Sequence, residues 1–141
     1  MIRNYKISVP KSTLNNIYKK VRNYPWKTIQ NVNGWEYGTN YDFLKKISQY
    51  WISRYNWKKF ENKINSFKNY KTKVDGINLH FIKEKSKNPK SRPLLLLHGW
   101  PGSVIEFFDI IPRLAHPEKF GGKIEDGFDV IVPSLPGFGF S

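Results

Sequence analysis

Apolar positions follow three rhythms in succession along this chain. Leu14, Ile17, Tyr18 and Val21 recur at the spacing of one helical face. Pro10 and Ser12 stand where that helix would begin. Tyr24-Pro25 should end it, because a proline restricts the residue before it. The stretch "NVNGWEYGTNY", rich in Gly and Asn, reads as an irregular loop. A second helix carries Leu44, Ile47 and Trp51 on one face, capped by Asn40 or Asp42, and a third carries Trp57, Phe60 and Ile64. These aromatic faces must bury against something, and the segment that follows is the expected partner.

From Tyr70 the period becomes extended. "YKTKVDGINLHFIKEK" alternates around Asp75-Gly76, a hairpin signal with a two-residue turn. Ile77, Leu79 and Phe81 should face one way and Asn78, His80 and Ile82 the other, which makes His80 a strand residue rather than a catalytic one. After the polar "KSKNPKS", the run "RPLLLL" has no alternation, as expected of a parallel strand buried on both faces. Val104, Phe107, Phe108, Ile111 and Leu114 then mark an amphipathic helix. Ser103 and Glu106 form a capping box at its start, and Pro112 should kink or shorten it. "FDVIVPSLPG" reads as a second buried strand running into the glycine-rich "PGFGFS". Hairpin, strand, helix, strand is the opening of an α/β fold, with a right-handed crossover between the two parallel strands.

Composition narrows the function classes. Within 141 residues the chain holds 5 Trp, 8 Tyr and 10 Phe, which argues for a folded protein rather than a disordered tail. The formal net charge of +13 raises nucleic acid as a partner, but the lysines are spread among asparagines with no run beside a nucleic-acid motif, so a solvated basic surface is preferred. Cysteine is absent, and His80, His98 and His116 lack ligand spacing, so neither a metal nor another cofactor is expected. No stretch approaches the ~20 apolar residues of a membrane span.

The chemistry concentrates in "LLLLHGWPGS", residues 94–103. In an open parallel sheet ligands bind beyond the carboxyl ends of the strands, where both "HGWPGS" and "PGFGFS" should lie, close together. A strand-to-helix turn of this kind aims backbone N–H groups into the crevice, and with a helix N-terminus behind it can stabilise a developing oxyanion. The candidate donor is the N–H of Trp100, with Pro101 a candidate cis-proline. The alternative is a plain turn with a satisfied His98.

"LLLLHGWPGSVIEFFDIIPRL" followed by "FDVIVPSLPGFGFS" resembles the epoxide hydrolases of the α/β-hydrolase superfamily. "GWEYG", "FLKKISQYWISRYNW" and "INLHFI", in that order, are similar to the N-terminal region of the microsomal and juvenile-hormone branch and its bacterial relatives. The resemblance runs from about Tyr5 to Ser141. It implies an α/β fold: a helical N-terminal meander (1–72) followed by the first strands and first helix of an α/β-hydrolase domain (73–141), truncated before its nucleophile elbow. It also implies a parent enzyme that adds water to a small lipophilic epoxide, giving a vicinal diol through an aspartyl alkyl ester, with Trp100 lending an oxyanion-hole N–H. His98, Gly99 and Pro101 complete that loop, with His98 structural rather than the general base.

The same resemblance places the nucleophile in a Gly-x-Asp-Trp-Gly elbow, a setting that none of Asp42, Asp75, Asp109, Asp126 and Asp129 has. The elbow, the lid tyrosines and the acid–histidine pair are expected beyond Ser141, and His116 has no motif claim to be the base. On this expectation no catalytic residue is present, and the chain alone is inactive. An apolar strand left at the sheet edge would then be an aggregation hazard. Location and oligomeric state stay open, since a microsomal relative would carry an anchor upstream of Met1. A non-catalytic interaction module, built on the same scaffold, is the alternative reading.

Overall fold

The computed structural model describes residues 1–28 and 34–141, so Asn31, Val32 and Asn33 of the expected glycine–asparagine loop lie outside the described residues. Two compact units emerge: residues 8–60 form one, and residues 1–7 with 61–141 form the other.

In the first unit the helical rhythm is realised as α1 (Lys11–Arg22) and α2 (Tyr41–Ser53). α1 starts after Pro10 and stops at Arg22, ahead of Tyr24-Pro25, as the proline argument requires. Asn40 rather than Asp42 caps α2, its Oδ1 accepting the Phe43 N–H at 3.0 Å, while Asp42 lies in the first turn. The expected burial is met on the third helix, where Ile64 is 1% exposed, but not on these two. No residue of α1 or α2 is buried, and Leu44, Ile47 and Trp51 remain 38%, 45% and 41% exposed. Leu14, Ile17 and Tyr18 instead face Ile47, Tyr50 and Trp51 across an open apolar cleft of about 450 Å³. A two-helix layer has one contact seam and too little mass to cover both apolar stripes.

α3 (Trp57–Asn65) leads into the second unit, a five-stranded sheet of order β1-β2-β3-β5-β4. Its strands are β1 (Arg3–Asn4), β2 (Asn69–Val74), β3 (Ile77–Glu84), β4 (Pro93–Leu95) and β5 (Asp129–Pro133). β2 and β3 form the expected hairpin, with Val74 opposite Ile77. Asp75 and Gly76 have φ of 48° and 83°, the doubly positive turn that matches strand twist. β3 pairs antiparallel with β5, and β5 pairs parallel with β4, so the sheet is mixed.

The core lies on this sheet. Ile82 stands opposite Val132, and both are 0% exposed, as are Val130 of β5 and Ile111 and Ala115 of the covering helix. That covering layer corrects one expectation in detail. The single amphipathic helix becomes a 3-10 turn (Val104–Phe107) and a separate short helix, α4 (Ile111–Ala115), with Pro112 in its first turn. Proline has no N–H for an interior helical bond but fits a first turn, so the pattern breaks there and restarts. Val104, Phe108 and Ile111 keep their inward faces through the break. The "RPLLLL" segment is not buried on both faces and takes the edge position anticipated above. β4 is an edge strand, Leu95 and Leu97 are each 57% exposed, and Leu94 and Leu96 are half-buried. Burial on both faces requires neighbours that β5 alone does not provide.

His80 is a polar member of the core, 0% exposed and satisfied at both ring nitrogens. Asn69 uses its amide nitrogen on the Ile64 and Phe67 carbonyls (3.0 and 2.8 Å), so its oxygen faces His80 and accepts the Nε2 hydrogen at 3.0 Å. Nδ1 is then the acceptor, taking the Ser134 hydroxyl at 2.8 Å. Burial first, and Lys71 second, push the His80 pKa down to about 4.

Two predictions come from this unit. No heavy atom lies within 4 Å of a Cβ added at Gly76, so Gly76→Ala tests backbone conformation alone. It should destabilise the hairpin by about 1–2 kcal/mol in urea unfolding, whereas Asp75→Gly should cost little. His80 binds its proton less readily folded than unfolded. Its contribution is complete above the unfolded pKa near 6.5 and is lost as pH falls toward 4. Unfolding free energy should drop by about 2 kcal/mol between about pH 7.5 and about pH 5, and His80→Gln should flatten that slope.

Candidate functional site

Two loops leave the carboxyl ends of the parallel pair. One, Leu96 to Ser103, follows β4, and the other, Ser134 to Ser141, follows β5. Leu96 keeps the first in line with the sheet, its N–H donating to the Ile131 carbonyl at 2.9 Å. The expected proximity of the two loops is realised through one imidazole. His98, 3% exposed, accepts the Leu135 N–H on Nε2 at 3.0 Å. An acceptor nitrogen carries no hydrogen, so the ring hydrogen resides on Nδ1, which donates to the Gly99 carbonyl at 2.9 Å. Phe138, from the second loop, packs its ring edge-on to His98 with centroids 5.3 Å apart.

Gly99 C=O and Trp100 N–H belong to one peptide plane and point in opposite directions. Holding the carbonyl toward His98 therefore turns the Trp100 N–H away from the ring, and among the described residues it donates to no acceptor. The Trp100 residue is 84% exposed, and its bond to Pro101 is cis. Gly102 allows the loop to close on itself, since a Cβ there would stand 2.6 Å from the Gly99 oxygen. Glu106 Oε1 then accepts the Ser103 N–H at 2.8 Å. The longer helix expected behind this loop is a 3-10 turn of 4 residues, so the loop's own peptide groups, rather than a helix dipole, set its polarity.

The other singled-out residues lie elsewhere. His116 bonds Glu84 through Nε2 at 3.0 Å in a half-buried cluster with Glu118, which Lys87 reaches from the surface. Asp129 sits at the start of β5, the end remote from the loops, where Ser86 N–H and Ser91 Oγ bond it. Burial opposes its ionisation, but those two donors with Lys83 and Lys85 outweigh it and hold the carboxyl below its usual range. Asp75 occupies the hairpin turn, and Asp126 meets Lys123 N–H at 3.4 Å. Among the described residues no group of three or more His, Asp or Glu side chains is placed to hold a metal ion. Sequence reasoning did not single out Ser134, Leu135, Phe138 and Ser141. The signal available for them was the glycine-rich stretch at a strand end, which marks a site but does not say which atoms it presents.

Known proteins match this chain along nearly all of its length. Residues 2–107 match the family model described as epoxide hydrolase N terminus, and residues 92–141 match the alpha/beta hydrolase fold. A protein of Stigmatella aurantiaca that carries an epoxide hydrolase name is 45% identical over 97% of this chain and 31% of its own length. Epoxide hydrolase 1 of Oryctolagus cuniculus is 38% identical over 99% of this chain and 32% of its length. The crystal structure of juvenile hormone epoxide hydrolase from Bombyx mori superposes with a TM-score of 0.83 at 31% identity, covering 99% of this chain and 33% of that one. The chain thus spans about a third of the length of the relatives it matches. With a matching family model over most of its residues and relatives aligned along nearly all of it, the chain belongs to the epoxide hydrolase family, on an α/β-hydrolase scaffold.

Proposed function

We propose that this chain is the N-terminal third of an enzyme that opens a lipophilic epoxide to a vicinal diol, and that the Trp100 N–H is one donor of its oxyanion hole. The observation that supports the reading is the His98 bond to the Gly99 carbonyl, which turns the next N–H away from the ring, where among the described residues it has no acceptor. The lipophilic substrate class is supported by the name of the Bombyx mori relative, a juvenile hormone epoxide hydrolase. The division that the sequence rhythm suggests, a helical N-terminal region at 1–72 and the start of the hydrolase domain at 73–141, is supported by the change of period at Tyr70, but its boundary falls inside β2, and the compact units divide after residue 60 with residues 1–7 joined to the sheet.

In this reading a carboxylate supplied by the rest of the enzyme attacks an epoxide carbon. The ring C–O bond breaks, its oxygen takes a proton, and an alkyl ester forms. Water then adds to the ester carbonyl, negative charge develops on its oxygen, and the Trp100 N–H donates to it. Collapse releases the diol and restores the carboxylate. A preorganised donor costs no reorganisation when that charge appears. Within this chain Glu106, the acidic side chain bonded to the loop, is committed to the Ser103 N–H.

The full-length enzyme, given a lipophilic aryl epoxide, should form diol, and the 141-residue chain alone should not. His98→Ala in the full-length enzyme frees the Gly99–Trp100 peptide to rotate. Single-turnover kinetics should show ester formation nearly unchanged and ester hydrolysis slower by about a hundredfold. A folded variant that hydrolyses its ester at the parent rate would refute the oxyanion role.

A further inference from the structure

His80 has so far been a satisfied core histidine, yet its bonds converge on the loop that holds His98. Its ring accepts the Ser134 hydroxyl at 2.8 Å, and its carbonyl accepts the Ser134 N–H at 2.9 Å. Its own N–H donates to Ser141 Oγ at 2.9 Å, and that hydroxyl donates to the Ser134 carbonyl at 2.6 Å. Ser134, 1% exposed, is thus held through side chain, N–H and C=O together. The aromatic residues of the second loop divide between the two histidines. Phe138 packs on His98, and Phe140 packs edge-on to His80 with centroids 5.3 Å apart. Tyr5 closes the remaining side of the His80 ring at 5.9 Å, and Lys71, from β2, is the charged group that acts on it.

The residue after Ser134 is Leu135, whose N–H is the bond that leaves His98 Nε2 unprotonated. A residue clamped at three points leaves the next peptide little rotational freedom. We propose that His80 is a positioning residue for the candidate oxyanion loop: by clamping Ser134 it directs the Leu135 N–H onto His98, fixes the His98 tautomer, and so sets the aim of the Trp100 N–H. The catalytic consequence rests on the oxyanion reading above, whereas the coupling from His80 to Trp100 does not. A histidine that only filled the core would need its ring bonds satisfied, but it would not need them joined to the residue beside the His98 donor.

The test uses the full-length protein with isotope-labelled histidine rings and backbone amides. Ser134→Ala removes the hydroxyl and leaves His80 in place, and Ser134→Thr restores it. The alanine variant should exchange its Leu135 amide faster by about tenfold. It should also show both His98 ring tautomers and a shifted Trp100 amide resonance, while Ser134→Thr behaves as the parent. His80→Gln, which keeps a buried polar group without an imidazole, is read the same way should the alanine variant not fold. A folded variant with parent-like Leu135 exchange, a single His98 tautomer and an unmoved Trp100 amide overturns the proposal and leaves His80 a core residue. Failure of the oxyanion reading appears elsewhere, as ester hydrolysis indifferent to His98→Ala, and leaves these resonances as expected here.

Discussion

A neutral imidazole has one hydrogen and one acceptor lone pair, and the arrangement of the two loops depends on how His98 divides them. The Leu135 N–H claims the lone pair and the Gly99 carbonyl takes the hydrogen. The side chain therefore links the two loops through a residue 37 positions away, Leu135, and it does so with a direction. Exchanging the two nitrogens would place a donor against a donor at Leu135 and two acceptors face to face at Gly99. In a site that is 3% exposed, water has little access to repair such a mismatch.

The sheet brings the partners within reach. β5 lies between antiparallel β3 and parallel β4, so its carboxyl end emerges beside the end of β4 and beside the middle of β3. His98 and His80 consequently approach successive residues of one short loop, Leu135 and Ser134. Two buried histidines serve the same loop in the same protonation class, each with one nitrogen donating and one accepting. Their polar atoms are matched within the fold, the condition under which a polar group is tolerated inside a small core.

Apolar surface is distributed less evenly than polar bonding. Ile82, Val130, Val132 and Ile111 fill a tight core, while Leu95 and Leu97 at the sheet edge and Ile47, Tyr50 and Trp51 on α2 remain open. A chain that spans about a third of its relatives' length has strands and helices whose pattern calls for more neighbours than the described residues provide. The same deficit explains why α1, α2 and β4 leave apolar residues open although the pattern placed these elements correctly. Periodicity reports which face is apolar, and burial depends on what stands opposite.

Local chemistry was legible in the residues. Asp75-Gly76 selects a turn with two positive φ angles, Asn40 caps, Pro25 and Pro112 interrupt, and "HGWPGS" after a leucine run announces a strand-end loop. Each of these follows from the backbone preferences of a few neighbouring residues, which is why a one-dimensional reading reached them, together with the α/β class and the family. The sheet order came from packing and hydrogen bonding in three dimensions. So did the roles of Ser134, Leu135 and Ser141. Nothing in "PSLPGFGFS" says which histidine a serine hydroxyl or a leucine N–H will meet, because that bond spans tens of residues and exists only after the strands between them are in register. The sequence by itself determined the elements, the turn chemistry and the loop that carries the candidate donor. The tertiary structure decided which way that donor points, since a peptide's orientation is set by the acceptor or donor that holds its other end.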